Sequence, residues 1–455
     1  MNAVSAPTMP LVQGRVAAER GMRFMLAALI IFVSISDIFD LQMSLAPGLS
    51  AKNLLLYMLA AGLALKMTIS GNMKVELRGL HAAFAVLIAY SILSMLAAYF
   101  VVGYPRYKLV ESAINLKSRL VDQAIFFLVF FYALRESKNA YSIMKLMLLA
   151  VMFANIAAVL DAWGFIQIGE LEERADGRMQ GVMGESNQYA AFVCTFLPAL
   201  VAAVMWSRGV RRLVWLTGLL ISTGAMIMAV SRGAFVAVFV SSIWGAILLK
   251  HRISAQKVIS IAGAFTFVFI LAIAVLSVRY GDLLYSRIVG DSGGDMVGAS
   301  SGRTEIWTNA IVTMIGQPIT LLTGFGWDVY WTMPFRYSPH NHYVSLWFNL
   351  GVVGVVCGVM VLAIVVREAR AAVDRLQLPE YQAAMAAFMF GALAIAVATF
   401  FVDLYTPWLW FWSYAGLMMR IAINAKNDAR AERERTAPQP TSAYGWVARP
   451  SMDAR

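Results

Sequence analysis

Arg232 combines a charged side chain with an unusual place in the chain. It stands in Val230-Ser231-Arg232-Gly233, between two long apolar runs that almost no loop separates. If a helix begins near Ser231, the arginine falls in its first turn, where free N–H groups and the helix dipole favour an anion. A guanidinium fork at such a place suits a phosphate group. For this residue alone, an arginine that extends to the lipid headgroups is the alternative.

Arg303 repeats this arrangement further along the chain. The sequence that follows it, TEIWTNAIVTMI, predicts a helix capped by Ser301, with Ile306, Ala310 and Met314 on one face. A second arginine is therefore expected at a helix start.

His340 belongs to the segment Ser338-Pro339-His340-Asn341-His342. A serine cap with proline at the first helical position predicts a helix start, with His340 and Asn341 in the first turn. The helix dipole disfavours a positive imidazole there, which would let His340 accept a proton. His342 fits better an ordinary place at the membrane interface. The two histidines point to nearly opposite sides of a helix, so they cannot chelate one metal ion together.

The segments that must position these residues are membrane helices. Of the 455 residues, 60% are hydrophobic and 14% charged, and the mean hydropathy is +0.68, which excludes a soluble domain. Pro407 interrupts the last apolar segment. Runs of about 20 apolar residues predict an all-α polytopic bundle of about 12 transmembrane helices, at 24–43, 51–69, 80–102, 120–134, 141–167, 188–206, 212–230, 233–249, 257–278, 342–366, 381–401 and 404–423.

The predicted spans divide the chain into four parts. Residues 1–278 hold nine spans, 279–341 form a large loop containing helices, 342–423 hold three spans, and 424–455 form a charged tail predicted to be disordered. Most of the 37 Lys and Arg residues fall on one face if the N-terminus is cytoplasmic. Both termini are then cytoplasmic, and the large loop is periplasmic. The net charge of +11 follows from this orientation and needs no nucleic-acid partner.

Lys and Arg residues collect in the cytoplasmic loops of membrane proteins. Several lie instead on the predicted outward face, and they need another explanation. Arg119 lies near the end of the segment YPRYKLVESAINLKSRL, which predicts an amphipathic helix at the lipid headgroups or an ordinary connector. Arg178 and Asn187 lie in the glycine-containing loop 168–188, whose glycines permit close approach to a ligand but also simply make turns. Arg336 lies just before the histidine segment.

Known catalytic and nucleotide-binding motifs are missing from the sequence. There is no Walker loop, dinucleotide glycine fingerprint or HExxH, and no acidic metal cluster is evident. Paired acidic residues within the spans, which would suit a proton-coupled transporter, are scarce. We therefore expect neither a cofactor nor a metal.

Four motifs in order carry a family resemblance: SRG at 231–233, SGRTEIW at 301–307, GFGW at 324–327 and SPHNHYVSLWFNLGVVG at 338–354. Together they resemble the superfamily of O-antigen ligases and polymerases. The resemblance implies a glycosyltransferase of the GT-C type in the bacterial inner membrane, with a periplasmic active site and roles in lipopolysaccharide biosynthesis. Its donor would be O-antigen on undecaprenyl diphosphate, and a ligase would use lipid A–core as the acceptor.

The resemblance also implies roles for individual residues. Arg232 and Arg303 match the family's arginines and would stabilise the diphosphate, and His340 matches its histidine and would act as general base or orient the acceptor. The expected substrate-binding residues are Arg178, Asn187, Asn341, Arg336 and Arg119. An O-antigen polymerase or a protein O-oligosaccharyltransferase would use the same donor. A transporter or flippase of an anionic lipid-linked substrate is an alternative from another class.

Overall fold

The computed structural model is a bundle of long helices. It describes residues 9–252 and 303–436, apart from 40, 42, 71–74, 168–177 and 335–338, together with five single positions between 253 and 302. A two-stranded hairpin of β1 (Ser44–Ala46) and β2 (Leu49–Ser50) is antiparallel. The helices are α1 (Met9–Ile38), α2 (Ala51–Ser70), α3 (Arg78–Ala97), α4 (Leu109–Leu116), α5 (Asp122–Tyr132), α6 (Ser137–Ala162), α7 (Ser186–Trp206), α8 (Val210–Met228), α9 (Arg232–Leu248), α10 (Arg303–Ile315), α11 (Ile319–Thr323), α12 (His342–Arg375), α13 (Pro379–Ala398) and α14 (Thr406–Thr436).

The protein is an all-α integral membrane protein. Among the described residues, eight helices are long and apolar enough to cross a membrane, and α9 is a shorter apolar helix. The predicted span at 120–134 is longer than expected, because a π turn at Lys117–Val121 joins α4 and α5 into one continuous helix. The predicted span at 257–278 lies outside the described residues except for a few positions, so the number of twelve stays a prediction.

Polar contacts at one end of the bundle fix the direction of the helices. Arg420 of α14 donates to Glu76 at 2.7 Å, and Arg252 after α9 pairs with Asp374 near the end of α12 at 2.8 Å. Since α9 and α12 both end here, both begin at the opposite end. The predicted site residues Arg232 and His340 therefore belong to that opposite end.

The last helix differs from the prediction in two ways. Pro407 does not interrupt it, because the helix begins at Thr406 and a proline is tolerated in a first turn. The helix also continues to Thr436, well into the segment predicted to be disordered. Asn424 donates to the Arg135 carbonyl at 2.7 Å, and the exposed Arg430 and Glu434 form an i,i+4 pair.

A small hydrophobic cluster, separate from the main core of the bundle, positions the region between α10 and α12. It includes Phe325 and Trp327 of the GFGW turn, Phe348 of α12, and residues of α3 and α4. The α12 helix is broken at Gly351, whose φ of 61° is non-helical. The break leaves the carbonyls of Phe348 and Asn349 to accept the N–H groups of Phe325 and Gly326, at 2.8 and 3.0 Å. The turn and the kink thus form one unit.

Candidate active site at one end of the bundle

The turn between α8 and α9 presents Arg232, as predicted. Arg232 is the first residue of α9, and Ser231 is the N-cap. Val230 has a φ of 46°, a left-handed conformation that is costly for a β-branched residue. Arg178 stabilises this turn, because its Nε donates to the Ala229 carbonyl at 3.1 Å and its Nη2 to the Val230 carbonyl at 3.3 Å. The Nε and Nη2 groups of Arg178 therefore hold the backbone of this turn in place.

Asn187 connects the same turn to the start of α7. Its Oδ1 accepts from Arg178 Nη2 at 3.1 Å and from Ser231 Oγ at 3.0 Å, while its Nδ2 donates to Glu185 Oε1 at 3.1 Å. The side chain amide is thus occupied on both sides. These bonds hold two loops together, and the substrate-binding role of Asn187 stays a prediction.

Arg303 meets these residues from a distant segment. It is the first residue of α10, as predicted, and its charge interacts with those of Arg178, Arg232, Glu185 and Asp403. Burial lowers the pKa of the Arg303 guanidinium; Glu185 and Asp403 raise it, whereas Arg178 and Arg232 lower it further. An arginine remains protonated in any case, so the excess of positive charge persists. Arg178, Arg232 and Arg303, here named the arginine cluster, form a site suited to an anion.

His340 lies just outside the helix that was expected to contain it. The prediction of a serine cap is wrong: α12 begins at His342, and Asn341 is its N-cap, accepting from Tyr343 N at 3.0 Å and Val344 N at 3.2 Å. Asparagine caps a helix as well as serine does, so the local sequence allowed either start. His340 itself is exposed and has a φ of 48°.

The backbone next to His340 is tied to the helix of Arg303. Trp307 Nε1 of α10 donates to the Pro339 carbonyl at 2.6 Å, and Pro339 is buried. This bond joins the segment that carries His340 to the element that carries Arg303. The segment 335–338, which includes Arg336, lies outside the described residues.

A cleft of about 580 Å³, counting its open mouth, lies beside the arginine cluster. We name it the aromatic cleft. It contains four aromatic residues of the turn and loop segments, two carboxylates and one arginine: Trp327, Tyr330, Trp331, Tyr405, Asp328, Asp403 and Arg119.

Asp328 organises one wall of the aromatic cleft. Its carboxylate accepts from Asn115 Nδ2 at 2.7 Å and Ser112 Oγ at 3.4 Å, and it pairs with Arg119 Nη1 at 3.6 Å. Burial raises the pKa of Asp328, and these partners oppose the rise. The polar face of the helix at 109–121 therefore turns inward at Ser112, Asn115 and Arg119. Its prediction as a face exposed to lipid headgroups is wrong for these residues.

The opposite wall of the aromatic cleft comes from α12 and the loop before α14. Asp403 Oδ1 accepts from Ser345 Oγ at 2.7 Å, and the charges of Asp403 and Arg119 both act on His342. Tyr405 N donates to Gln188 Oε1 at 3.0 Å, one residue beyond Asn187 in α7. The first turn of α7 thus supports both the cluster and the cleft.

The sequence identified some of these residues and missed others. The structure brings Arg178, Asn187, Arg232 and Arg303 together, and it places Arg119 in the neighbouring cleft. Asp403 was not predicted as a site residue, although a short loop with acidic and aromatic residues between two spans was a usable signal. Among the described residues, no three His, Cys, Asp or Glu side chains are grouped so that they could hold a metal ion.

Residues 217–359 match the family model described as O-antigen ligase. The matched segment contains Arg232, Arg303, the GFGW turn and His340. This match supports membership in the O-antigen ligase superfamily. A search among curated proteins finds no match.

The similarity to the O-antigen ligase family agrees with part of the geometry. The family is a glycosyltransferase-like group of membrane enzymes with O-antigen ligase or polymerase activity, and it implies lipid-linked polysaccharide substrates. The eight candidate spans and this similarity together support a multi-pass bacterial membrane protein of lipopolysaccharide biosynthesis. Arg178, Asn187 and Asp403 lie outside the matched segment, so only the three-dimensional arrangement connects them to it.

Proposed function

We propose that this protein is an O-antigen ligase that transfers O-antigen polysaccharide from undecaprenyl diphosphate to a sugar hydroxyl of lipid A–core. The observation that carries the proposal is the arginine cluster at the start of α9, beside the segment that carries His340. The transfer is inverting and independent of metal, and it completes lipopolysaccharide at the periplasmic face of the inner membrane. In this orientation both termini are cytoplasmic.

The arginine cluster acts on the leaving group. When the bond between the anomeric carbon and the diphosphate oxygen breaks, the diphosphate takes the electron pair and gains negative charge. Arg232 and Arg303 stabilise that charge with bonds to phosphate oxygens, assisted by the N–H groups at the starts of α9 and α10. Arg178 holds the turn that presents Arg232.

His340 acts on the acceptor. The hydroxyl oxygen of the acceptor attacks the anomeric carbon on the face opposite the diphosphate, and His340 takes the hydroxyl proton. The new carbon–oxygen bond forms as the bond to the diphosphate breaks, which inverts the anomeric configuration. The products are the glycosylated lipid A–core and undecaprenyl diphosphate, and the histidine later releases its proton to water.

Reconstitution tests the proposal directly. The purified protein is incubated in lipid vesicles containing EDTA with undecaprenyl-diphosphate O-antigen and lipid A–core, and the mass and anomeric configuration of the product are measured. We expect a heavier lipid A–core with inverted linkage, which is lost in His340→Ala. His251→Ala is the matched control, because His251 is exposed just after α9, at the opposite end of the bundle.

Each other outcome favours a different function. A glycan that lengthens on its own undecaprenyl carrier identifies an O-antigen polymerase, and transfer to a protein identifies an O-oligosaccharyltransferase. If no bond forms even after metal is restored, but the lipid-linked glycan changes leaflet, the protein is a flippase. Retained anomeric configuration contradicts the one-step mechanism.

A further inference from the structure

We propose that the aromatic cleft binds a neutral pyranose ring, stacked on Trp331, next to the diphosphate site. The inference rests on the proposed function, since it places a sugar of one of the two substrates. It identifies Trp331 and Asp328 as specificity residues, and the arginine cluster does not require either of them.

Trp331 has the properties of a stacking platform. Trp331 is 52% exposed, whereas Trp327 and Tyr330 of the same cleft are buried. The Trp331 side chain interacts with the carboxylate of Asp328, which helps to orient the ring. An exposed indole held in place by a buried carboxylate offers a rigid apolar face, and the C–H face of a pyranose is the natural complement of such a surface.

Asp328 is itself held rigidly by residues of another segment. Ser112, Asn115 and Arg119 all bind its carboxylate, and Tyr107 Oη donates to the neighbouring Trp327 carbonyl at 2.6 Å. These contacts fix the turn before Trp331. A platform with such support keeps its geometry when a ligand arrives, which lowers the entropic cost of binding.

The charges of the cleft favour hydroxyl groups over phosphate. Arg119 is paired with Asp328, and its guanidinium carbon lies 4.3 Å from the centroid of the Tyr405 ring. Asp403 adds a second carboxylate, whose Oδ1 accepts from Ser345. Carboxylates accept hydrogen bonds from hydroxyls but repel an anion. The cleft therefore suits an uncharged sugar.

The position of the cleft relates the bound ring to the reaction. Asp403 lines the cleft and also interacts with the charge of Arg303, so the two sites adjoin. A pyranose in the cleft then lies next to the diphosphate. Either the first sugar of the donor or the accepting sugar of lipid A–core has the required chemistry.

Ligand binding without turnover tests this inference. Saturation-transfer NMR is recorded on the protein in nanodiscs with two probes, the core oligosaccharide and the O-antigen glycan, each released from its lipid by mild acid. We expect transfer to ring protons of one probe, and an approximately tenfold weaker Kd in Trp331→Ala, the loss typical of removing one aromatic anchor. Trp331→Phe should retain most of the binding.

Trp206→Ala is the matched control, because Trp206 is 50% exposed at the end of α7, away from the cleft. A parallel titration with inorganic pyrophosphate reports on the arginine cluster and should not respond to Trp331→Ala. Unchanged pyrophosphate binding also shows that the variant is folded.

The KM of each lipid-linked substrate then separates the two sources of the ring. A higher acceptor KM in Trp331→Ala assigns the cleft to lipid A–core, and a higher donor KM assigns it to the first O-antigen sugar; either result supports the inference. Equal sugar binding by wild type and Trp331→Ala would overturn it, as would weaker pyrophosphate binding in a folded variant. If the wild type binds the glycan but transfers nothing, the proposed function fails while the inference stands.

Discussion

The arginine cluster and the aromatic cleft adjoin at one end of the bundle, yet they are built from opposite chemistry. In the cluster, three guanidinium groups meet two nearby carboxylates, Glu185 and the shared Asp403, so positive charge is in excess. In the cleft, one arginine meets two carboxylates, and its charge is compensated by Asp328. The first region can hold a diphosphate, and the second can hold an uncharged ring.

This difference shows how one end of a helical bundle can separate a charged leaving group from sugars. The excess of charge persists in the cluster because each arginine arrives from a separate segment with its position fixed by backbone contacts or a helix start. The compensation in the cleft comes from one helix, whose Ser112, Asn115 and Arg119 all face Asp328. Tests of single arginines can therefore distinguish the regions.

Among the substitutions considered, loss of the Arg303 guanidinium is expected to have the largest effect on the transfer rate. Arg303→Gln should lower kcat about 10² to 10³-fold, because one preorganised cation no longer stabilises the leaving diphosphate. It should also weaken competitive inhibition by inorganic pyrophosphate. Arg119→Gln is the matched variant of the cleft and should lower kcat less than about tenfold, since the charge of Arg119 is already paired with Asp328. Equal losses in kcat for the two variants would show that the regions do not differ.

Gly351→Ala should have the next largest effect, which is on stability. It should distort the aromatic cleft rather than the arginine cluster. A Cβ at Gly351 would overlap the Leu322 carbonyl, and the φ of 61° is unfavourable for alanine. We expect the free energy of unfolding to fall by about 3 kcal/mol. The same substitution at Gly62 should be neutral or slightly stabilising, because this helical glycine has open space within 4 Å of the point that a Cβ would occupy.

Thermal unfolding in detergent measures the loss of stability. Pyrophosphate binding, measured at a temperature where Gly351→Ala and Gly62→Ala are both folded, shows whether the arginine cluster is affected as well. If Gly351→Ala melts like Gly62→Ala, the turn and the kink do not form one structural unit. If it remains folded but loses pyrophosphate binding, the cluster depends on that unit as well.

The sequence predicted the cluster better than the cleft for a physical reason. Arg232 and Arg303 were found because a helix start is a local signal, carried by a few neighbouring residues. The start of α12 was misplaced because Ser338 and Asn341 are both good caps, and contacts elsewhere in the fold decide between them. The cleft was missed because Arg119, Asp328 and Asp403 come from three distant segments, and no local pattern links them.

Substitution of Arg178 should lower kcat by a smaller factor. Arg178 supports the arginine cluster through its hydrogen bonds to the turn as well as through its charge. Arg178→Lys keeps the charge but cannot reproduce the donation from Nε and Nη2 to the Ala229 and Val230 carbonyls. We therefore expect Arg178→Lys to lower kcat about tenfold, close to the loss in Arg178→Gln. Arg208→Lys, at an arginine in the loop between α7 and α8 near the opposite end, is the control. Full activity of Arg178→Lys would mean that charge alone matters at this position.

Substitution of Asn341 should have the smallest effect on stability. Comparing two variants shows whether Asn341 caps the helix or binds substrate. Its Oδ1 accepts two N–H groups of the first turn of α12, so Asn341→Ala should lower the free energy of unfolding by about 1 kcal/mol. Asn341→Ser should restore both stability and transfer activity, because serine can cap the helix but cannot reproduce the amide. A substrate-binding role predicts instead that Asn341→Ser is stable and inactive, which thermal unfolding and the transfer assay would reveal together. In that case the contact would lie between the two regions, since Asn341 follows His340 and precedes His342 of the cleft.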